Sequence, residues 1–300
     1  MTLGVNSRAR LNANRESTAV ALLKSGFRRA RVPLNSLAGR TYRQNGLPGA
    51  LFPAIEYLLT GRRPAASDAV ADRIEELRDR LAQKGAMTVG EYVAGTRLNA
   101  PEIEQRALVE IAHWVSVPRS FGIFLYLCSE GVKARRILEL GACAGISGCY
   151  LASGSACKDF VTLELSGALA AIANENLRHV IPDPKVINAS FDEGLGEVLD
   201  HATEPFDIIW IDGHHERDAT LRYFKRLKGH AAPGKLILFD DINWPEMQEA
   251  WALIRRWPGF SHTINATRFG IGVVKATQDQ SSPQNWRLDQ RLKFTRLVRE

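Results

Sequence analysis

RRILELGACAGIS, residues 135–147, is the stretch on which the fold turns. A short apolar run ends in Glu139, Leu140 and Gly141, a second glycine follows at Gly145, and Ile146 and Ser147 open the next segment. This order reads as strand, glycine turn and helix. Gly141 permits a tight turn, Gly145 lets backbone amides approach a ligand, and Ser147 offers a hydroxyl in the first helical turn. The spacing is G-x-x-x-G, unlike the G-x-G-x-x-G of a pyrophosphate binder. A junction that keeps its glycines for packing alone would look the same, so the weight falls on the sequence around it.

Downstream, apolar runs alternate with helical stretches: DFVTLEL, KVINAS, PFDIIWIDG, GKLILFDD, FSHTINA and FGIGVVKA. With the first run they make seven strands. GALAAIANENLRHV and the stretch Arg217 to Gly229 are long enough to be the crossover helices that parallel strands require. The last two runs are separated only by Thr267 and Arg268 and must form a hairpin, so one of them is antiparallel. The expected fold is therefore α/β, a Rossmann-like seven-stranded sheet, mostly parallel with an antiparallel terminal hairpin, plus an N-terminal helical module. Residues from Gln278 read as a polar, basic tail.

Upstream the chain reads as helical over its first ~130 residues, with no strand signal. PGALFPAIEYLLT (48–60) is an apolar helix stopped by Gly61, and RRPAASD is linker-like. From Asp68, Val70, Ile74, Leu77 and Leu81 repeat at helical spacing, and a third helix is expected from near Pro101 through Ile103, Leu108, Ile111 and Trp114. The expected boundaries are 1–115 for the basic arm and helical module, 116–277 for the catalytic domain and 278–300 for the tail. Helices without a full core of their own favour a lid or a homodimer built through this module.

Of 300 residues, 45% are hydrophobic and 24% charged, enough for one α/β core and an appendage. The net charge of +6 is concentrated before Ala50, where Arg8, Arg10, Arg15, Lys24, Arg28, Arg29, Arg31, Arg40 and Arg43 face a single acid, Glu16. Such an arm steers toward anionic partners or resembles a transit peptide, although a solvated or partner-packed extension is the commoner outcome. Cys128, Cys143, Cys149 and Cys157 lack C-x-x-C spacing and read as buried thiols. No run reaches the ~20 apolar residues of a membrane span and no signal-like stretch opens the chain, so a cytoplasmic protein is expected.

An open parallel sheet binds ligands at the carboxyl ends of its strands. The second run ends in Glu164, placed to accept both ribose hydroxyls of an adenosine ligand; a solvated strand end is the alternative. The third ends in Asn188-Ala189-Ser190-Phe191, where Ser190 and a ring could bracket an adenine. The fourth and fifth end in Asp212-Gly213-His214-His215 and Asp240-Asp241 on strands about 4.8 Å apart. Three carboxylates so close call either for a cation or for neighbouring bases, and magnesium suits hard oxygen ligands with open positions. Asp241 could instead cap the next helix, and His214 reads as a surface or cap residue.

Together, LELGACAGIS, VTLEL, NAS, IDGHH and DDINWP resemble the catechol O-methyltransferase branch of class I S-adenosylmethionine-dependent methyltransferases, over about Val115 to Lys275. The resemblance implies Glu139, Gly141 and Ser147 at the methionine part of the cofactor, with Gly145 in the same turn, Glu164 at the ribose and Ser190 at the adenine. It also implies Val117 in the segment closing over the cofactor, and Asp212, Asp240 and Asp241 as metal ligands. Two positions depart from the family pattern: Asp241 stands where asparagine is common, and His215 where the mammalian enzymes carry lysine. Bacterial relatives acting on sugars and natural products share the D-G-x-H pattern. The expected activity is magnesium-assisted methylation of a small-molecule hydroxyl, on a sugar, polyketide or phenolic with vicinal oxygens, with Asp212 and His215 as catalytic residues and His215 as base. An RNA methyltransferase using the basic arm is the rival enzyme, disfavoured because no aromatic-basic interleaving suggests stacked bases. A catalytically silent binding protein of the same fold is the non-enzymatic rival.

Overall fold

The computed structural model describes residues 46–90, 103–276, 281–289 and 296–299. Nearly all of the basic arm, including every basic residue up to Arg43, lies outside them, as does the first of two compact units, Met1–Asn35. Within the second unit, Ser36–Glu300, Gly49–Leu51 form a 3-10 turn leading into helix α1 (Phe52–Thr60). Gly61 ends α1 at φ 73°, as a glycine beyond the last helical residue is expected to do. Helix α2 (Ala65–Gln83) starts three residues before the predicted Asp68, because Pro64 serves as its N-cap and the linker shrinks to a few residues.

Only the first part of the third predicted helix is replaced. β1 (Ala86–Gly90) pairs antiparallel with β2 (Ile103–Ala107), and helix resumes only at Leu108, passing into a π-helix over Ile111–Val115. Thr88, Val89 and Ile103 are β-branched and stiff at χ1, so pairing overrides the helical spacing that Ile103 suggested.

Helix α3 (Arg119–Val132) follows Pro118 and precedes the main sheet. That sheet contains β3 (Arg136–Leu140), β4 (Asp159–Glu164), β5 (Lys185–Asn188), β6 (Phe206–Ile211), β7 (Ala231–Phe239), β8 (Phe260–Ala266) and β9 (Phe269–Val274), one strand for each apolar run. Between them run α4 (Ile146–Ala152), α5 (Gly167–Leu177), α6 (Phe191–Asp200), α7 (Arg217–Leu227) and α8 (Pro245–Ile254). Strands β3 to β7 pair in parallel, and β9 is antiparallel to both β7 and β8. The order is β11 (Arg296–Arg299), β10 (Gln284–Asp289), β8, β9, β7, β6, β3, β4 and β5. This is the expected mostly parallel sheet with an antiparallel terminal hairpin, with two strands added.

The additions come from the segment expected to be a polar tail. β10 (Gln284–Asp289) pairs parallel with β8, and β11 (Arg296–Arg299) pairs antiparallel with β10. Trp286 and Leu288 alternate with polar neighbours and bury their side chains, a period-2 signal that the net polarity of the stretch conceals.

Each face of the sheet is covered. Ile137, Trp210, Leu236 and Ile271 point to one core, where α3 and α4 lie together with Ile55 of α1 and Ile74 of α2. Leu138, Leu140, Ile209 and Phe239 point to the other, beneath α6, α7 and α8. Each large side chain so buried contributes about 1.5–3 kcal/mol. Ala54 and Ile55 of α1 and Val70, Ile74 and Leu77 of α2 are buried in the first of these cores. No helix among the described residues is long and apolar enough to cross a membrane.

Candidate active site

Strand register decides which side chains meet. Leu140 is level with Ile211, and Ile211 with Phe239, so Gly141, Asp212 and Asp240 follow side by side at the carboxyl ends of β3, β6 and β7. Asp212 N–H donates to Leu140 O at 2.9 Å and Asp240 N–H to Ile211 O at 3.0 Å. Gly141 has φ 100°, and a Cβ there would lie 1.9 Å from the Asp212 carbonyl oxygen; only glycine lets the two strand ends close up. Gly145, at φ 78°, is the N-cap of α4, and its Cβ would press on the Ala173 backbone.

The three predicted carboxylates converge, together with His215. His215 Nε2 lies 3.9 Å from Asp212 Oδ1 and its Nδ1 3.9 Å from Asp241 Oδ2, with the Trp244 ring centroid 5.1 Å away. His215 Nδ1 is buried without a hydrogen bond among the described residues. Burial holds the imidazole below its ordinary pKa, against the pull of Asp240. Burial also pushes Asp212 well above the usual carboxylate range, with Asp240 adding to the shift and Arg268 opposing it; Asp241 shifts the same way for the same reasons. Asp241 is not spent as a cap, because α8 is capped at Trp244 without a side-chain bond. His214 is partly buried: its Nδ1 lies 2.8 Å from Tyr223 Oη and its Nε2 3.5 Å from Glu216 Oε2.

One residue of this cluster was not foreseen. Arg268 sits at the tip of the β8–β9 hairpin, and because Phe239 is level with Gly270 in antiparallel register, the arginine falls opposite Asp241. Its Nε donates to Asp240 Oδ1 at 2.5 Å and its Nη2 to Asp240 Oδ2, while Nε also lies 3.1 Å from Asp241 Oδ1. Asp240 Oδ1 further accepts the Asp241 N–H at 2.8 Å, and the Asp240 side chain is 0% exposed. The Phe121 and Phe269 rings lie 5.3 and 5.8 Å from the guanidinium carbon. The legible signal was the two-residue connection Thr267-Arg268, which an antiparallel hairpin must bring level with the end of β7.

The expected magnesium does not fit this donor set. Both Asp240 oxygens are occupied by a fixed guanidinium, and no three His, Cys, Asp or Glu side chains among the described residues are arranged to hold a metal ion.

The polar side chains expected to meet the cofactor are already engaged within the chain. Glu139 is fully buried; its oxygens accept from Ser147 Oγ at 2.6 Å and Thr162 Oγ1 at 2.8 Å, and burial pushes its pKa up to about 7. Glu164 accepts the Cys143 N–H at 2.7 Å and the Ser166 N–H at 2.9 Å, so its carboxylate stitches the glycine turn to the start of α5. Ser190 is the N-cap of α6, with Glu193 N–H donating to its Oγ and its Oγ donating to Glu193 Oε2 at 2.7 Å. Val117 is buried, and its carbonyl accepts from Arg78 Nη2 at 2.5 Å.

A glycine turn after the first strand, an acid ending the second and acids following the fourth and fifth therefore occur at one end of the sheet, in chain order. Residues 138–242 match the family model of a methyltransferase domain. The matched stretch runs from β3 through Asp240 and Asp241 and stops before Arg268. Over 131 residues the chain is 28% identical to a catechol O-methyltransferase of Niastella koreensis, covering 43% of this chain and 58% of the relative. Over 134 residues it is 31% identical to a catechol O-methyltransferase of Mycobacterium tuberculosis, covering 43% and 57%. It thus spans less than two thirds of either relative. An O-methyltransferase from Bacillus cereus, crystallised in complex with SAH, is 23% identical with a TM-score of 0.47, over 69% of this chain and 91% of that one.

Proposed function

We propose that this chain is an S-adenosylmethionine-dependent O-methyltransferase acting on a hydroxyl of a small molecule, on a sugar, polyketide or phenolic scaffold. The observation that carries this reading is the placement of His215 between Asp212 and Asp241, its Nδ1 without a hydrogen bond among the described residues, beside the glycine turn of the stretch that matches a methyltransferase domain. S-adenosylmethionine supplies a methyl group on a positively charged sulfur. Gly141, Gly145 and Glu164 shape the turn that receives the adenosyl portion, and Glu139 with Ser147 lies beneath it. Asp212 and Asp241 accept hydrogen bonds from the acceptor hydroxyls and orient one of them. His215, kept neutral by burial, takes that hydroxyl's proton as its oxygen forms the bond to the methyl carbon and the carbon–sulfur bond breaks. Magnesium has no place in this step, since Arg268 already occupies Asp240.

The test is calorimetry with S-adenosylmethionine, followed by a panel of hydroxylated acceptors assayed with labelled methyl donor. Binding in the micromolar range and labelled product are expected. His215→Ala is expected to lower kcat at saturating acceptor by about 10²–10⁴-fold while leaving cofactor binding intact. Unchanged kcat would remove His215 from its role, and no binding heat would remove the activity altogether.

A further inference from the structure

We propose that Arg268 stands in for the divalent cation at the acidic cluster, so that this chain transfers methyl groups without a metal. The proposal rests on the O-methyltransferase reading above. Three carboxylates gathered at the ends of β6 and β7 need positive charge, and within the chain that charge is already present. The guanidinium forks onto Asp240, using Nε and Nη2 on separate oxygens, and Nε reaches Asp241 as well. A planar fork matched to a carboxylate is the geometry arginine supplies and lysine does not. The arginine is not a passing surface partner. It issues from a two-residue hairpin turn, its carbonyl accepts the Ile242 N–H at 2.9 Å, and Phe121 and Phe269 flank its head.

A metal ion would need at least one open oxygen on Asp240 together with Asp212 and Asp241. Asp240 Oδ1 accepts both Arg268 Nε and the Asp241 N–H, and Oδ2 accepts Nη2. A cation arriving there would have to displace the fork, and would then meet a positive group still held beside Asp241. Arg268 is thus a positioning residue. It fixes Asp240 and turns Asp241 toward His215, leaving Asp212 and Asp241 to grip acceptor hydroxyls directly by hydrogen bonds.

The experiment uses Mn²⁺ as a probe, read by the loss of its free-ion electron paramagnetic resonance signal. Protein stripped with EDTA is titrated as wild type, Arg268→Gln and Arg268→Lys. Wild type is expected to leave the signal intact, Arg268→Gln to bind Mn²⁺ at least about tenfold more tightly as Asp240 is freed, and Arg268→Lys to bind it more weakly than Arg268→Gln, because the positive charge stays while the fork is lost. Mn²⁺ binding by wild type would overturn the proposal, as would an Arg268→Gln protein that folds yet binds no more than wild type, or an Arg268→Lys protein that binds as tightly as Arg268→Gln. Should Arg268→Gln fail to fold alone, recovery of its circular dichroism on adding Mn²⁺ supports the proposal and no recovery opposes it. S-adenosylmethionine binding is measured by calorimetry in the same EDTA buffer. Its absence would defeat the methyltransferase reading while leaving the Mn²⁺ result to stand separately.

Discussion

Glu139 shows how a single buried acid makes stability depend on pH. Burial raises its folded pKa to about 7, with Ser147 and Thr162 opposing the shift, whereas an exposed glutamate titrates near its ordinary value of about 4.3. Between those two values the unfolded chain has lost a proton that the folded chain keeps. Stability from this group is therefore complete below about pH 4.3, falls as pH rises toward 7, and levels off above. The full fall is of the order of 3 kcal/mol. Glu139→Gln is expected to abolish that slope and to be the more stable protein at pH 8, as measured by urea unfolding across pH. Gly141→Ala is the opposite case, a loss at any pH. Its Cβ would collide with the Asp212 carbonyl at a φ of 100°, and a loss of about 2 kcal/mol or more is expected in the same assay. Both glycines and every strand-end acid could be picked out from residue order alone, because a strand–turn–helix junction constrains residue type locally. What those acids bond to could not. The partner of Asp240 lies 28 positions away, and no local pattern announces an arginine whose role is set by register.

Elements were legible where their apolar period is unbroken. All seven runs of the main sheet are strands, because buried parallel strands leave near-continuous apolar stretches. β1 and β2 were missed because a five-residue strand offers too few alternations to outweigh the helical spacing around it. The capping role of Ser190 was written in its S-x-x-E spacing, yet it was read for chemistry alone. Ser190→Ala should cost about 1 kcal/mol through α6, seen by thermal unfolding. A loss of cofactor affinity beyond that would show that its hydroxyl also meets the ligand. The link between α2 and the segment leading to α3 rests on Arg78, which donates to the Ala112 and Val117 carbonyls and to Glu75 Oε2 at 2.9 Å, while Glu75 also accepts from Tyr150 Oη at 2.9 Å. Arg78→Met keeps the apolar stem but orphans two buried carbonyls and the glutamate. A loss of about 2–4 kcal/mol is expected, read as a lowered melting temperature.

At the scale of the whole molecule, the sheet is wider than seven runs would make it. Ending the chain at Lys275 would remove Trp286 and Leu288 from the core and bare the β8 edge. A loss of about 3–6 kcal/mol and concentration-dependent association, followed by light scattering, are expected from the lost burial and the newly unpaired strand. The polarity of residues 278–300 hid this, since averaged composition erases a two-residue alternation. The hairpin tip has its own consequence. Side chains on a strand switch faces with every step, so one residue inserted into or deleted from β9 between Gly270 and the turn would send the guanidinium to the opposite side and leave Asp240 bare. The charge of the pocket is thus encoded in the parity of a hydrogen-bond ladder, and natural variants whose hairpin differs in length by one are where an ion-requiring form of this fold should be sought.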